Sequence, residues 1–132
     1  MKELSMDIIT TQRAPRPAGA YGQAVVANGF VFTAGMAPVD ADTGDVIGNG
    51  IVEQTEHTLN NLRAVLEAAG SSIDRVVKVT VHLEDVERDW PAFDAVFGKF
   101  FGGHRPARTA VGSRLGDILV EIDAIAVVAG DN

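Results

Sequence analysis

The chain contains no cysteine. It can therefore form no disulfide, no thiolate zinc site and no cysteine nucleophile, which removes several enzyme classes at once. Basic residues are also in short supply, with eleven Lys and Arg against eighteen Asp and Glu and a formal net charge of −7. A surface of that sign repels a phosphate backbone, whose binding needs clustered cations to displace counterions, so nucleic acid is not an expected partner. The densest cationic grouping, Arg105, Arg108 and Arg114, is sparse and suits local ion pairs or a small anion. Long apolar runs are missing too, and membrane association is not expected. The opening residues Met1-Lys2-Glu3-Leu4-Ser5-Met6-Asp7 carry one cation and no apolar core, unlike a signal peptide, so a cytoplasmic protein is expected. His57, His82 and His104 are too dispersed for a metal site. His57 reads as part of a solvated helix face, and His104 as a loop residue near the candidate anion site.

What is present fits one domain, residues 1–132, long enough to bury a core and too short for two. Asn28-Gly29 lies between two β-prone runs in residues 23–33. A type I′ turn needs positive φ at both central residues, so the pair predicts a tight hairpin. A looser turn is expected around Asp42-Thr43-Gly44. From Ile51 to Ala69, Val52, Leu59, Leu62, Leu66 and Ala69 recur at helical spacing, with Gly70 as the stop. Val77, Val79, Val81 and Leu83 then alternate with Lys78, Thr80 and His82, a strand with one face on the core. Asp89 is the expected cap of a second helix. Pro91 falls in its first turn, Phe93, Val96, Phe97, Phe100 and Phe101 form its core stripe, and Gly102-Gly103 ends it. Strands over 106–112 and 118–128 complete the order β-β-α-β-α-β-β, with Asp7–Thr11 a candidate additional strand. The expected class is α+β, a mixed sheet with both helices on one face.

The last strand raises a problem. Its Ile- and Val-rich run, Ile118 to Val128, reads as buried on both faces, yet it carries Glu121 and Asp123, and carboxylates are rarely buried without a partner. Alternation groups both acids with Leu119, Ile125 and Val127, opposite Val120, Ile122 and Ala124. With the helices on one face, nothing in the chain remains to cover the acid-bearing face, which predicts an oligomer. Arg108, in the preceding strand, is the candidate partner of Glu121. Facing one cleft that a second protomer helps to wall, the two would bind an anion and move a proton; facing nothing else, they would be a structural ion pair. Asp123 reads as an interface partner. If both acids share a dry cleft, one would tend to hold a proton.

Several stretches, in order along the chain, carry a resemblance. They are Gly19-Ala20-Tyr21-Gly22-Gln23-Ala24, Ala34-Gly35-Met36-Ala37-Pro38 followed by Thr43-Gly44, and Asn61-Leu62-Arg63-Ala64-Val65-Leu66-Glu67-Ala68-Ala69-Gly70. Val76-Val77-Lys78-Val79-Thr80-Val81, Pro106-Ala107-Arg108-Thr109 and Val120-Glu121-Ile122-Asp123-Ala124-Ile125-Ala126 continue it. From about Pro15 to Val128 the sequence resembles the RidA/YjgF family of reactive-imine deaminases. The resemblance implies a chorismate-mutase-like α+β fold assembled as a homotrimer, with sites in the clefts between subunits. It implies hydrolysis of 2-imino acids, tautomers of enamines such as 2-aminoacrylate, to 2-oxo acids and ammonia. No metal or organic cofactor is implied, because an iminium carbon is already electrophilic; the expected ligand is a small carboxylate or imino acid.

By the same resemblance, Arg108 clamps the substrate carboxylate through its planar fork of donors, and Glu121 activates the attacking water. Tyr21 matches the family's site aromatic, Gly35 its close-approach glycine, and Ala110 a contact made through the backbone. The chain departs from the pattern at Ala110, where many members have Cys, at Ala34 and Met36, which stand for Ser and Gln, and at Asp94, which stands for Asn. These changes make the pocket more apolar. Alternative readings are a non-catalytic metabolite-binding protein using the same cleft and, disfavoured by the charge of −7, an endoribonuclease.

Overall fold

Chain reversal at Asn28-Gly29 starts the sheet. In the computed structural model, which describes residues 5–130, Asn28 has φ 53° and Gly29 φ 81°. Strand β2 (Ala24–Ala27) thereby turns directly into β3 (Phe30–Thr33), with Ala27 opposite Phe30. This is the tight hairpin that the sequence predicts. The remaining elements are β1 (Met6–Ile9), α1 (Ile51–Ala68), β4 (Val76–Leu83), α2 (Val86–Phe101), β5 (Ala107–Gly112) and β6 (Val120–Val127). They form one six-stranded sheet in the order β1-β2-β3-β6-β4-β5. Adjacent strands run antiparallel except β4 and β5, which are parallel and joined by the crossover helix α2. The α+β class with a mixed sheet and two helices on one face is as expected. Among the described residues no helix is long and apolar enough to cross a membrane.

Burial follows the pleat. Along β6, Val120, Ile122, Ala124 and Ala126 are buried beneath the helices, while Glu121, Asp123, Ile125 and Val127 are half-buried on the other face. The expectation of a strand buried on both faces is thus corrected: among the described residues the chain fully buries one face only. The open face continues into Phe30 and Phe32, paired with Val127 and Ile125, and out to Ile8, which is 72% exposed.

Three local expectations shift. In α1 the buried stripe is Ile51, Thr55, Thr58, Leu59, Leu62, Val65 and Leu66, and Val52 points to solvent. In β4 the register slips between Val76 and Lys78, which buries Val76 and exposes Val77, so Val77 leaves the core face. Helix α2 is capped by Asp85, whose side chain accepts a hydrogen bond from the Arg88 N–H, and begins a turn before the expected Asp89 cap. Asp89 is instead buried and held by Arg88 at 2.9 Å through each carboxylate oxygen. Pro91 accordingly lies within the helix. Its missing donor is tolerated because aromatic packing of Trp90, Phe93, Phe97 and Phe101, with successive centroids 5.9, 5.6 and 4.6 Å apart, holds the helix on the core.

Candidate active site

Arg108 sits on the edge strand β5, opposite Val79 of β4. Paired residues point to the same side of a sheet, so Arg108 shares the helix-covered face with Val79. Its guanidinium rests on α2, 4.7 Å from the Phe97 ring centroid, 4.9 Å from Trp90 and 5.8 Å from Phe93. Aromatic faces attract a cation and hold its plane. The side chain is 22% exposed, and Nη1 lies 2.8 Å from Oδ1 of Asp94, its acidic partner among the described residues. Arg108 and Asp94 line a cavity of about 310 Å³ with Phe97, Gly98, Arg105 and Pro106. Ala110, two residues along on the same face, packs on the core.

Glu121 is placed differently. It pairs with His82 on the open face of the sheet. The β3–β6 ladder runs to Phe32 opposite Ile125 and resumes at Met36 opposite Ile122, so the Thr33–Gly35 side holds one residue more than its partner. This bulge lays Gly35 on Glu121: a Cβ at residue 35 would stand 2.7 Å from the carboxylate carbon and Oε2. Bulges that re-aim backbone beside a functional side chain are a recurrent device. Gly35, Met36 and Tyr21 line a second, larger cavity of about 950 Å³ with residues of the 10–18 and 39–44 segments. Tyr21 is 53% exposed on its wall, and its hydroxyl accepts a hydrogen bond from the Ala18 N–H at 3.0 Å. Ala34 packs partly against the core, and Met36 is buried as well as lining the cavity.

The structure therefore brings Tyr21 and Gly35 to one cavity, lays Gly35 on Glu121, and separately pairs Arg108 with Asp94, with Ala110 further along the Arg108 strand. It does not bring Arg108 to Glu121. The two lie on opposite faces of one sheet with β4 between their strands, which corrects the expectation that neighbouring segments of one chain converge them. Asp123 is on the open face opposite Thr80. Burial pushes its carboxyl above the usual aspartate range, against the pull of His82 and Lys78. His82 Nδ1 lies 2.7 Å from the Ser113 hydroxyl, and His104 Nε2 lies 2.6 Å from the Val76 carbonyl. Among the described residues no group of three His, Asp or Glu is arranged to hold a metal.

Four supporting residues were given no individual role by the sequence reading. Trp90, the single Trp, completes the aromatic bed of Arg108; its spacing of three before Phe93 was the available signal. Gln23 is buried and fastens the 11–15 wall, donating to the carbonyls of Thr11, Ala14 and Pro15 while accepting from the Thr11 N–H. Asn61 donates to the carbonyls of Ala37 and Val39 at 2.9 Å each, and Gln54 ties Gly48 to Leu119. Gln23 and Asn61 stand in the motifs that carry the resemblance, and Gln54 is marked only as a polar residue within an apolar pattern.

Comparison with known proteins places these cavities in context. The sequence profile described as endoribonuclease L-PSP matches residues 11–128. A RutC family protein of Pyrococcus horikoshii is 46% identical over 122 residues, 91% of this chain and 96% of that protein. The 2-iminobutanoate/2-iminopropanoate deaminase of Rattus norvegicus is 34% identical over 134 residues, 96% of this chain and 93% of that protein. Among solved structures, E. coli TdcF with bound serine aligns with a TM-score of 0.86 at 36% identity, over 93% of this chain and 99% of that one.

Proposed function

Because the chain belongs to the endoribonuclease L-PSP family, the RidA/YjgF group, we propose that it hydrolyses 2-imino acids to 2-oxo acids and ammonia in clefts between protomers. One observation carries the reading: an Arg108 with spare donors and a Glu121 held by Gly35 lie on opposite faces of a sheet whose second face exposes Phe30, Phe32 and Ile8 and bears no helix among the described residues. In a single chain they cannot serve one substrate. A second copy seated on the open face supplies the missing half, and a homotrimer with three such clefts is the assembly adopted here. The rat relative named as a deaminase and the TdcF structure holding serine support a small α-substituted carboxylate as ligand.

In this mechanism Arg108 receives the substrate carboxylate on its planar fork of N–H groups, which fixes the α-carbon. Glu121 takes a proton from a water molecule as its oxygen bonds to the iminium carbon. The same carboxyl then protonates the nitrogen of the resulting carbinolamine; as the C–N bond breaks, the Glu121 carboxylate takes the hydroxyl proton so that the carbonyl forms, and the departing ammonia carries that proton away as ammonium. Atoms balance with water as the only co-reactant. The label of endoribonuclease fits less well, because the net charge of −7 disfavours a polyanion.

The test is to generate 2-iminopropionate in situ and follow its decay. Accelerated decay by the pure protein, reduced at least about a hundredfold by Arg108→Ala with its circular dichroism unchanged, is the expected result. No acceleration overturns the reading, and saturable 2-oxo acid binding without turnover would assign the cleft to sequestration instead.

A further inference from the structure

Asp94 is the feature the proposed reaction leaves unused. It projects from α2 one turn before Gly98 and places Oδ1 2.8 Å from Nη1 of the guanidinium that is to hold the substrate. The contact is one-sided. No second acid reaches Arg108 among the described residues, and Asp94 is itself 50% exposed. Gly98 leaves the adjoining wall open, since a Cβ there would meet nothing within 4 Å. Arg105, the other cation at the cavity, is turned onto the carbonyl oxygens of Gly102 and His104. A ligand carboxylate arriving on the remaining donors of Arg108 thus meets a cation whose charge is already balanced by a neighbouring anion.

We propose that Asp94 sets the specificity of this cleft, selecting carboxylates that carry a cationic nitrogen on the adjacent carbon over carboxylates that carry a carbonyl there. The inference rests on Arg108 acting as the carboxylate clamp. Two carboxylates sharing one guanidinium repel each other in a partly desolvated cavity. A positive charge on the carbon next to the ligand carboxylate offsets that repulsion, because it attracts the Asp94 carboxylate. An iminium or ammonium acid has this charge. A 2-oxo acid does not, so hydrolysis itself deletes the group that Asp94 attracts, and the product is held less tightly than the substrate. Asp94 would then favour both recognition of the protonated imine and release of the oxo acid.

Calorimetric titration with L-2-aminobutyrate and 2-oxobutyrate tests this, since the two share a carbon skeleton and a carboxylate and differ at the α-position. The wild-type protein is expected to bind the ammonium acid about tenfold more tightly than the oxo acid. Asp94→Asn, isosteric and at a half-exposed position, is expected to close that gap to about twofold, mainly through tighter oxo acid binding. An unchanged ratio in Asp94→Asn, or a wild-type preference for the oxo acid, overturns the assignment. Arg108→Ala separates the two levels. If it loses both ligands while Asp94→Asn leaves the ratio alone, only the role of Asp94 falls. If it binds as wild type does, or the wild type binds neither ligand, the clamp falls and Asp94 with it.

Discussion

At the scale of single residues, Gly35 has the sharpest requirement. Its φ is not in the left-handed region, so the demand is spatial: the carboxylate of Glu121 occupies the volume that a Cβ would take, at 2.7 Å. Gly35→Ala must therefore push the carboxylate aside, which a flexible side chain allows at little cost to folding, under about 1 kcal/mol. A displaced base is poorly aligned with water, and we expect imine hydrolysis to fall at least about tenfold. Paired measurements of turnover and thermal midpoint check this; unchanged turnover would remove Glu121 from the chemistry. The same residue shows how much of the site was legible beforehand. Its identity could be picked out by family resemblance, but the bulge that seats it on Glu121 is a register property of two strands and leaves no local pattern.

At the scale of elements, helix α2 does two jobs at once. Its Phe93, fully buried between the rings of Trp90 and Phe97, belongs to the core. The same aromatic run also forms the bed on which Arg108 lies, so the sequence reading of these phenylalanines as core alone was half of the answer. Phe93→Ala should cost about 3–5 kcal/mol, measured by denaturant unfolding, since it removes a fully buried ring packed between Trp90 and Phe97 and leaves a cavity. Helix periodicity, the Asn-Gly hairpin and strand alternation were all readable because each is written in residues near one another in sequence. The start of α2 was not. The expected cap was Asp89, with Pro91 in the first turn; Asp85 caps the helix instead by accepting from the Arg88 N–H, and Asp89 is taken up by the Arg88 guanidinium.

At the scale of the whole molecule, opposite placement of Arg108 and Glu121 has a direct consequence for mixed assemblies. If each cleft takes Arg108 from one protomer and Glu121 from another, Arg108→Ala and Glu121→Gln are each inactive, yet a reassembled equimolar mixture recovers about a quarter of wild-type activity, the chance that a cleft draws both intact groups. Recovery is measured after joint unfolding and refolding of the two variants. No recovery would mean that the two groups act, if at all, within one chain. The sequence by itself determined the elements, their order, the α+β class and the face on which Glu121 and Asp123 stand, because local periodicity and pleat fix which way a side chain points relative to its own strand. Only the tertiary structure decided which strands are neighbours. Insertion of β6 between β3 and β4 put β4 between the candidate acid and the candidate guanidinium, parallel pairing turned Arg108 toward α2, and Asp94 thereby became its partner. Strand order and pairing register depend on contacts between residues far apart in the chain, which no short window of sequence records.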